Sequence, residues 1–243
     1  MKSISLRTTS ILLLLLGTLC LQCAEPRVLK PIASYQLPIP EPSDICIHPN
    51  GSTLLIVSDR GYLYHTDTMG VAIKTSPLIG GDIEGVWAQN GNIYVVDEAE
   101  GLVHSINPES LKVQRTVSVP YSGKRNSGFE SIANNQNLGV HILITEKEPI
   151  LIFELDSNFG VIRSMPFSAT ADISASTWHN NHLWLLSDED RMVLKLNPKT
   201  YKVLKSWHIP DVAKPEGIAF LSPNTMLAVC DRESKLYYFH LHE

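Results

Sequence analysis

The chain has 243 residues, of which 44% are hydrophobic and 19% are charged, and its formal net charge is −5. It contains no cluster of lysine and arginine, which excludes nucleic acid as a partner because such binding requires a positively charged surface. No Pro- or Gly-rich linker and no low-complexity tract divides the chain after its N-terminal leader. Residues 25–243 are therefore predicted to form a single all-β domain.

The N-terminal residues 1–24 have the pattern of an export signal. A basic start precedes a short apolar run, residues 11–16, which ends in small and polar residues. The run is shorter than the roughly 20 residues of a membrane span, although an uncleaved anchor stays open. Cys23 is a candidate lipidation site, and the alternative is ordinary cleavage near Ala24. The leader predicts a protein that is exported and either periplasmic or attached to a membrane through its N-terminus.

Five copies of one unit follow the leader. They start at residues 42, 82, 128, 172 and 214. The period is about 43 residues, which is typical of a four-stranded propeller blade. Each copy contains short runs rich in β-branched and aromatic residues, such as STLLIVS, NIYVVD and VHILIT, which predict strands. Asn50-Gly51 and Asn90-Gly91 predict two-residue hairpin turns between first and second strands. No segment has the period of a long helix.

The fifth copy lacks a fourth strand. Residues 27–38, RVLKPIASYQLP, have the pattern of the fourth strands in the other copies. This N-terminal strand is predicted to complete the last blade, because closure removes the exposed edges of the first and last repeats. The predicted fold is a five-bladed β-propeller of four-stranded antiparallel blades.

Acidic residues recur at matching positions of the repeats. Those of the first strands, with Ser174 taking the place of an acid in the fourth copy, are Asp44, Glu84, Glu130 and Glu216. Those of the second strands are Asp59, Asp97, Glu146, Asp188 and Asp231. In a hairpin, the start of one strand lies beside the end of the next. The first set is therefore predicted to ring the mouth of the central channel, with the second set just outside it.

Other residue types repeat around these acids. A small residue often follows the inner acid, as at Gly85 and Gly217, which predicts close approach of the inner strands. Basic residues follow three of the second-strand acids: Arg60, Lys147 and Arg232. His179 and His182 flank a predicted turn at the opposite face and are interpreted as surface residues. Two core tryptophans and two buried free thiols are also predicted: Trp87, Trp178, Cys46 and Cys230.

The carboxylates of two such closely spaced rings cannot all ionise unless a cation neutralises them or they share protons. Three arrangements are open: a divalent cation, a lattice with the neighbouring basic residues, and simple capping of turns. Ca²⁺ or another divalent ion is the predicted cofactor, because hard cations prefer carboxylate oxygens. The candidate metal ligands are Glu84, Glu130 and Glu216, and no organic cofactor is predicted.

The sequence motifs, taken in order, resemble those of one protein family. They are IEG, VVDEAEG, GFES, LITEKE, LLSDEDR, PEG and CDRESKLYYF. Together they resemble the SdiA-regulated propeller family of bacterial exported proteins, over residues 42–241. The resemblance implies an exported or membrane-attached β-propeller and supplies no catalytic residues. Gluconolactonase-like and phytase-like propellers hold a divalent ion at the acidic end of the channel, which is an analogy of architecture.

Two hypotheses of function are open. The first is a binding module of the cell envelope, whose acidic channel mouth holds a divalent cation, a cationic ligand or an envelope protein. The second is a metal-dependent hydrolase of a lactone or phosphate ester, with an inner glutamate as general base. The sequence contains no G-x-S-x-G motif of a serine hydrolase. No histidine occurs in the predicted inner ring, which favours the binding module.

Overall fold

The computed structural model of the chain describes residues 27–121 and 128–242. These residues form 21 β-strands in five sheets, which confirms the all-β prediction. The predicted export signal and Cys23 lie outside the described residues. Within the two described ranges, no helix has the length and apolar character needed to cross a membrane.

The first two strands, β1 (Arg27–Val28) and β2 (Pro31–Gln36), belong to the last two blades. β2 pairs antiparallel with the last strand of the chain and completes blade five, as predicted. β1 adds a parallel fifth strand to the outer edge of blade four. The single strand predicted over residues 27–38 is therefore two strands. Pro31 starts the second one, since a proline without an N–H suits the beginning of an edge strand.

The remaining strands follow in chain order, from the innermost to the outermost strand of each blade. Blade one contains β3 (Pro42–Ile47), β4 (Leu54–Ser58), β5 (Tyr62–Thr66) and β6 (Ala72–Thr75). Blade two contains β7 (Ile83–Gln89), β8 (Asn92–Asp97), β9 (Leu102–Ile106) and β10 (Val113–Ser118). Blade three contains β11 (Phe129–Asn135), β12 (Val140–Thr145), β13 (Leu151–Leu155) and β14 (Val161–Pro166). Blade four contains β15 (Ala175–His179), β16 (His182–Ser187), β17 (Met192–Leu196) and β18 (Val203–His208). Blade five contains β19 (Pro215–Ser222), β20 (Thr225–Cys230) and β21 (Lys235–His240), and β2 is its outer strand.

The hydrophobic core lies between the blades. Second strands such as β4 are buried along their whole length, whereas the outer strand β6 is exposed throughout. This difference explains why the second strands are continuous apolar runs: both of their faces pack against neighbouring blades. Trp87 and Trp178 are buried in the same core cluster, as predicted. Cys46 and Cys230 are buried and free, also as predicted.

The turns between first and second strands confirm one hairpin prediction and correct another. Asn90 and Gly91 both have positive φ, 51° and 78°, and form the predicted two-residue turn of blade two. In blade one, Ile47 pairs with Leu54, so Asn50-Gly51 lies inside a longer loop. The Asn50 side chain orders this loop by accepting hydrogen bonds from two backbone N–H groups.

Candidate functional site

The inner strands of the five blades surround a central channel, and one end of it opens into an acidic cavity of about 230 Å³. We call this cavity the channel mouth. Its lining residues are Asp59, Glu84, Glu130, Glu146, Lys147, Asp172, Ser174, Asp188, Glu189, Lys214 and Glu216. Six of the nine acids predicted from the sequence are among them: Glu84, Glu130, Glu216, Asp59, Glu146 and Asp188. The first residues of the inner strands and the last residues of the second strands therefore meet at this end, as the hairpin argument requires.

The inner ring of the mouth contains Ser43 in blade one, where the sequence pattern predicted Asp44. The strand register shows that Ser43 is the inner-ring residue of blade one. Asp44 is in register with the small residue that follows the inner acid in other blades. The residue pairs that share this register are Asp44–Val57, Gly85–Val96, Ser131–Ile144 and Gly217–Val229. The ring is thus three glutamates and two serines. Ser43 and Ser174 each donate a hydrogen bond to a backbone carbonyl of the next blade.

Asp44 lies below the ring and is fully buried. Its carboxylate accepts hydrogen bonds from the backbone N–H groups of Ile45 at 2.8 Å and Val86 at 2.9 Å. Burial raises the pKa of Asp44 well above its ordinary value, and these hydrogen bonds oppose the rise. Blade five approaches very closely here, since a Cβ on Gly217 would lie 2.7 Å from the Asp44 Cα. The predicted role of the small residues is confirmed, and Asp44 contacts protein backbone rather than the mouth.

The second ring contains Glu98 where the sequence pattern predicted Asp97. The Glu98 N–H donates to the carbonyl of Asp82 at 2.9 Å. The same bond joins three other pairs: Asp59 to Glu41, Glu146 to Gly128 and Asp231 to Lys214. Asp97 is instead the buried last residue of β8 and pairs with Ile83. The spacing between the two acids of blade two could have indicated that Glu98 is the second-ring residue. Glu84 and Asp97 are 13 residues apart, fewer than the corresponding positions in the other copies.

Lys214 neutralises the blade-five side of the mouth. Its Nζ lies 2.5 Å from Glu216 and 2.9 Å from Asp231, so it bridges the inner and second rings. Burial lowers the pKa of Lys214, but the two carboxylates outweigh this effect and leave the pKa raised. Burial raises the pKa of Glu216 to about 8, and the contact with Lys214 opposes the rise. The sequence pattern missed Lys214 because this residue precedes the first strand of its blade.

Lys147 forms a second bridge, between blades three and four. Its Nζ lies 2.6 Å from Glu146 and 3.3 Å from Glu189. This pair agrees with the predicted basic lattice around the second ring. Arg60, predicted for the same lattice, bonds Glu41 at 2.9 Å instead of its chain neighbour in the ring.

On the blade-two and blade-three side, Glu84, Glu130 and Glu146 line the mouth, and Asp82 and Glu98 lie beside it. Among the described residues, no lysine bridges these acids apart from the pair at Glu146. Two groups of three share Glu98, and in each group one carboxylate oxygen per residue lies within 4.8 Å of the others. The groups are Asp82, Glu84 and Glu98, and Glu98, Glu130 and Glu146. Across residues 27–121 and 128–242, no hydrogen bond or ion pair engages the carboxylates of Glu84 and Glu130.

The electrostatics of this side follow from burial and crowding. Burial, and then repulsion from carboxylates such as Asp59, raises the pKa of Glu84 well above its ordinary value. Burial, and then repulsion from Glu84, does the same to the pKa of Glu130. Burial raises the pKa of Glu98 to about 7, although Glu98 accepts a hydrogen bond from the Gly128 N–H at 2.8 Å. A bound cation would favour the ionised form of each group.

The chain is similar to one protein family in sequence and to a solved structure in fold. The model of the SdiA-regulated family matches residues 39–201. No curated protein matches the chain. Among solved structures, the crystal structure of Myxococcus xanthus glutaminyl cyclase is similar, with a TM-score of 0.69 and 15% sequence identity. The match covers 90% of this chain and 100% of that chain, and at this identity it supports the propeller fold alone.

Proposed function

The chain belongs to the SdiA-regulated family, and from this premise we propose that it is an exported binding module of the bacterial cell envelope whose channel mouth holds a divalent cation. The proposed site lies on blades two and three. Its ligands are the two groups of acids that share Glu98.

A comparison of blade five with blade two carries this proposal. In blade five, Lys214 places an ammonium group between an inner-ring acid and a second-ring acid. Asp82 occupies the position of Lys214 in blade two, as the shared backbone hydrogen bond demonstrates. Blade two therefore keeps both ring acids, Glu84 and Glu98, and replaces the internal cation with a third carboxylate. An external cation would complete blade two in the way that Lys214 completes blade five.

The chemistry of the lining indicates the type of cation. The described lining residues of the mouth are eight acids, two lysines and one serine, with no histidine or cysteine. Oxygen ligands suit Ca²⁺, Mg²⁺ and Mn²⁺, whereas Zn²⁺ favours nitrogen and sulfur ligands. We therefore expect Ca²⁺, Mg²⁺ or Mn²⁺ to bind more tightly than Zn²⁺.

The lining also supports binding over hydrolysis of a lactone or phosphate ester. A hydrolase needs a group that orients the substrate beside the metal. Besides carboxylates, the described lining offers Ser174 and two lysines. The Ser174 hydroxyl donates to the carbonyl of Pro215, and both lysines are paired with carboxylates.

The melting temperature with chelator and then with each ion tests the proposal. An ion present at about 100 times its dissociation constant should stabilise the fold by about 2.7 kcal/mol. Asp82→Lys should abolish this response, because its ammonium would occupy the site as Lys214 does in blade five. Glu109→Lys makes a similar change of charge on an exposed turn at the opposite end of blade two and should keep the response. The proposal fails if no ion raises the melting temperature of the unmodified protein, or if Asp82→Lys retains the full rise.

Export is the second part of the proposal and rests on the N-terminal leader. Fractionation of a bacterium that expresses the full chain should place the protein in the envelope fraction. If Cys23 is lipidated, Cys23→Ser should move the protein from the membrane to the soluble periplasmic fraction. Recovery of the unmodified protein from the cytoplasm would contradict export.

A further inference from the structure

A second cavity, of about 160 Å³, lies at the end of the channel opposite the acids. Four of the five inner strands contribute to its wall, and we call it the aromatic cavity. The lining residues used below are Trp87, Trp178, Phe220, Thr177, Ala88 and Ala219. All lie in the central or C-terminal part of the inner strands, whereas the inner-ring glutamates of the mouth lie at the N-terminal ends of inner strands. The two cavities therefore occupy opposite ends of one channel.

The wall of the aromatic cavity is built from large flat side chains. Trp87, Trp178 and Phe220 are each less than 10% exposed and belong to blades two, four and five. The ring of His179 stacks on Phe220 at a centroid distance of 4.0 Å and an interplanar angle of 2°. No acidic or basic residue other than this histidine lines the cavity among the described residues. Such a wall fits an uncharged planar group, because offset and edge-to-face contacts of aromatic rings are favourable.

Two polar groups of this wall have no hydrogen-bond partner among the described residues. The indole N–H of Trp87 is buried and unpaired. Thr177, which also lines the cavity, is 5% exposed, and no hydrogen bond joins its hydroxyl to residues 27–121 or 128–242. Buried polar groups are nearly always hydrogen-bonded, so unpaired groups beside an apolar cavity indicate a place for a polar ligand atom.

The volume limits the ligand to a single ring system. An engineered apolar cavity of about 150 Å³ accepts benzene. We propose that the aromatic cavity binds one small neutral aromatic molecule that carries a hydroxyl or ring N–H, with its ring against the tryptophans and its polar atom on Thr177. This site is independent of the proposed cation site, since no lining residue is shared.

Titration of the unmodified protein with phenol, indole and toluene tests the proposal, with tryptophan fluorescence and calorimetry as readouts. Phenol and indole should bind with a saturable heat and change the emission of the two wall tryptophans. Thr177→Val keeps the shape of the side chain and removes the hydroxyl. We expect it to weaken phenol binding by about fivefold to tenfold, the effect of one hydrogen bond, and to leave toluene binding unchanged.

Filling the cavity provides the complementary variant. Ala219→Leu should abolish binding of all three probes, and Ala88→Leu serves the same purpose if the first variant does not fold. Ala72→Leu, on the exposed outer strand of blade one, is the matched control and should bind like the unmodified protein. Absence of saturable binding by phenol and indole would overturn the proposal. So would binding that survives in a folded cavity-filling variant, because the ligand would then lie elsewhere.

Discussion

One buried carboxylate joins the inner strands of blades one and two. Asp44, in blade one, accepts hydrogen bonds from the backbone N–H groups of Ile45 in its own strand and of Val86 in blade two. Blades two and five have glycine at the position that Asp44 occupies in blade one. The backbone of blade one at Asp44 lies in the space that Gly217 leaves, and the Asp44 carboxylate links this blade to blade two.

Loss of this link should destabilise the whole fold. Asp44→Ala leaves the buried N–H groups of Ile45 and Val86 unpaired and opens a small void. Because each unpaired buried group costs about 1 kcal/mol or more, we expect a decrease of about 2 kcal/mol in the free energy of unfolding. Urea denaturation measures this quantity. Asp211→Ala, at an exposed position, is the control and should change stability by less than about 0.5 kcal/mol. An equal effect of both substitutions would contradict the assigned role.

Asp44 also illustrates which feature of the site could not be predicted from the sequence, namely the exact residue of each strand that faces the channel. The repeat correctly predicted that acids from several blades converge at one channel end. It misplaced Asp44 and Asp97 by one residue each, because apolar runs that are buried on both faces do not indicate which residue faces the axis. In blade one the inner-ring residue is Ser43, so the adjacent acid was the nearest match to the pattern. Only strand register, with its bulges, separates the two positions.

Blades three and four are also joined away from the channel, between the third strand of blade three and a turn of blade four. Glu154 on β13 accepts two hydrogen bonds from Arg163 on β14, at 2.7 and 2.6 Å. It also accepts one from the hydroxyl of Tyr201 in blade four, at 2.8 Å, and Asn135 donates to that hydroxyl. A single buried carboxylate therefore holds the edge of blade three to a turn of blade four. The contacts with Arg163 and Tyr201 lower the pKa of Glu154.

The contribution of Glu154 should depend on pH. Its pKa is lower in the folded chain than in the unfolded chain, so its contribution is complete above the unfolded value of about 4.3 and is lost as the pH falls through the folded value. Glu154→Gln should therefore reduce stability by about 1 kcal/mol near neutral pH, a modest value because Arg163 is half exposed. The difference from the unmodified protein should shrink towards about pH 3, which urea denaturation at several pH values can measure.

The exposed Glu109→Gln variant, measured in the same series, controls for general effects of acid and should show little difference at any pH. A difference between Glu154→Gln and the unmodified protein that stays constant across the series would contradict the role of the ionised carboxylate.

At the level of the complete ring, the sequence predicted the number of blades and the way they close. The 43-residue period and the alternation of strands and turns are local features, and they are preserved in the fold. The added pairing of β1 with blade four was not predicted, because two residues carry too little pattern to define a strand. The charge difference between the two sides of the mouth was also missed. It depends on Asp82 and Lys214, which precede their strands and have no periodic pattern.

Closure through β2 should control the stability of the ring as a unit. A chain that begins at residue 37 lacks both N-terminal strands and exposes the paired edge of β21, whereas a chain that begins at residue 27 keeps every described strand. We expect the shorter chain to melt about 10 °C lower or more, since each 1 kcal/mol shifts the melting temperature by about 2–4 °C at this size. It should also self-associate through the open edge.

A synthetic peptide of residues 27–38 should restore the melting temperature and the monomer in a concentration-dependent way, because it can pair with the free edge. A peptide with the same composition in scrambled order is the control. A shorter chain that stays monomeric with an unchanged melting temperature would show that closure by β2 does not hold the ring together.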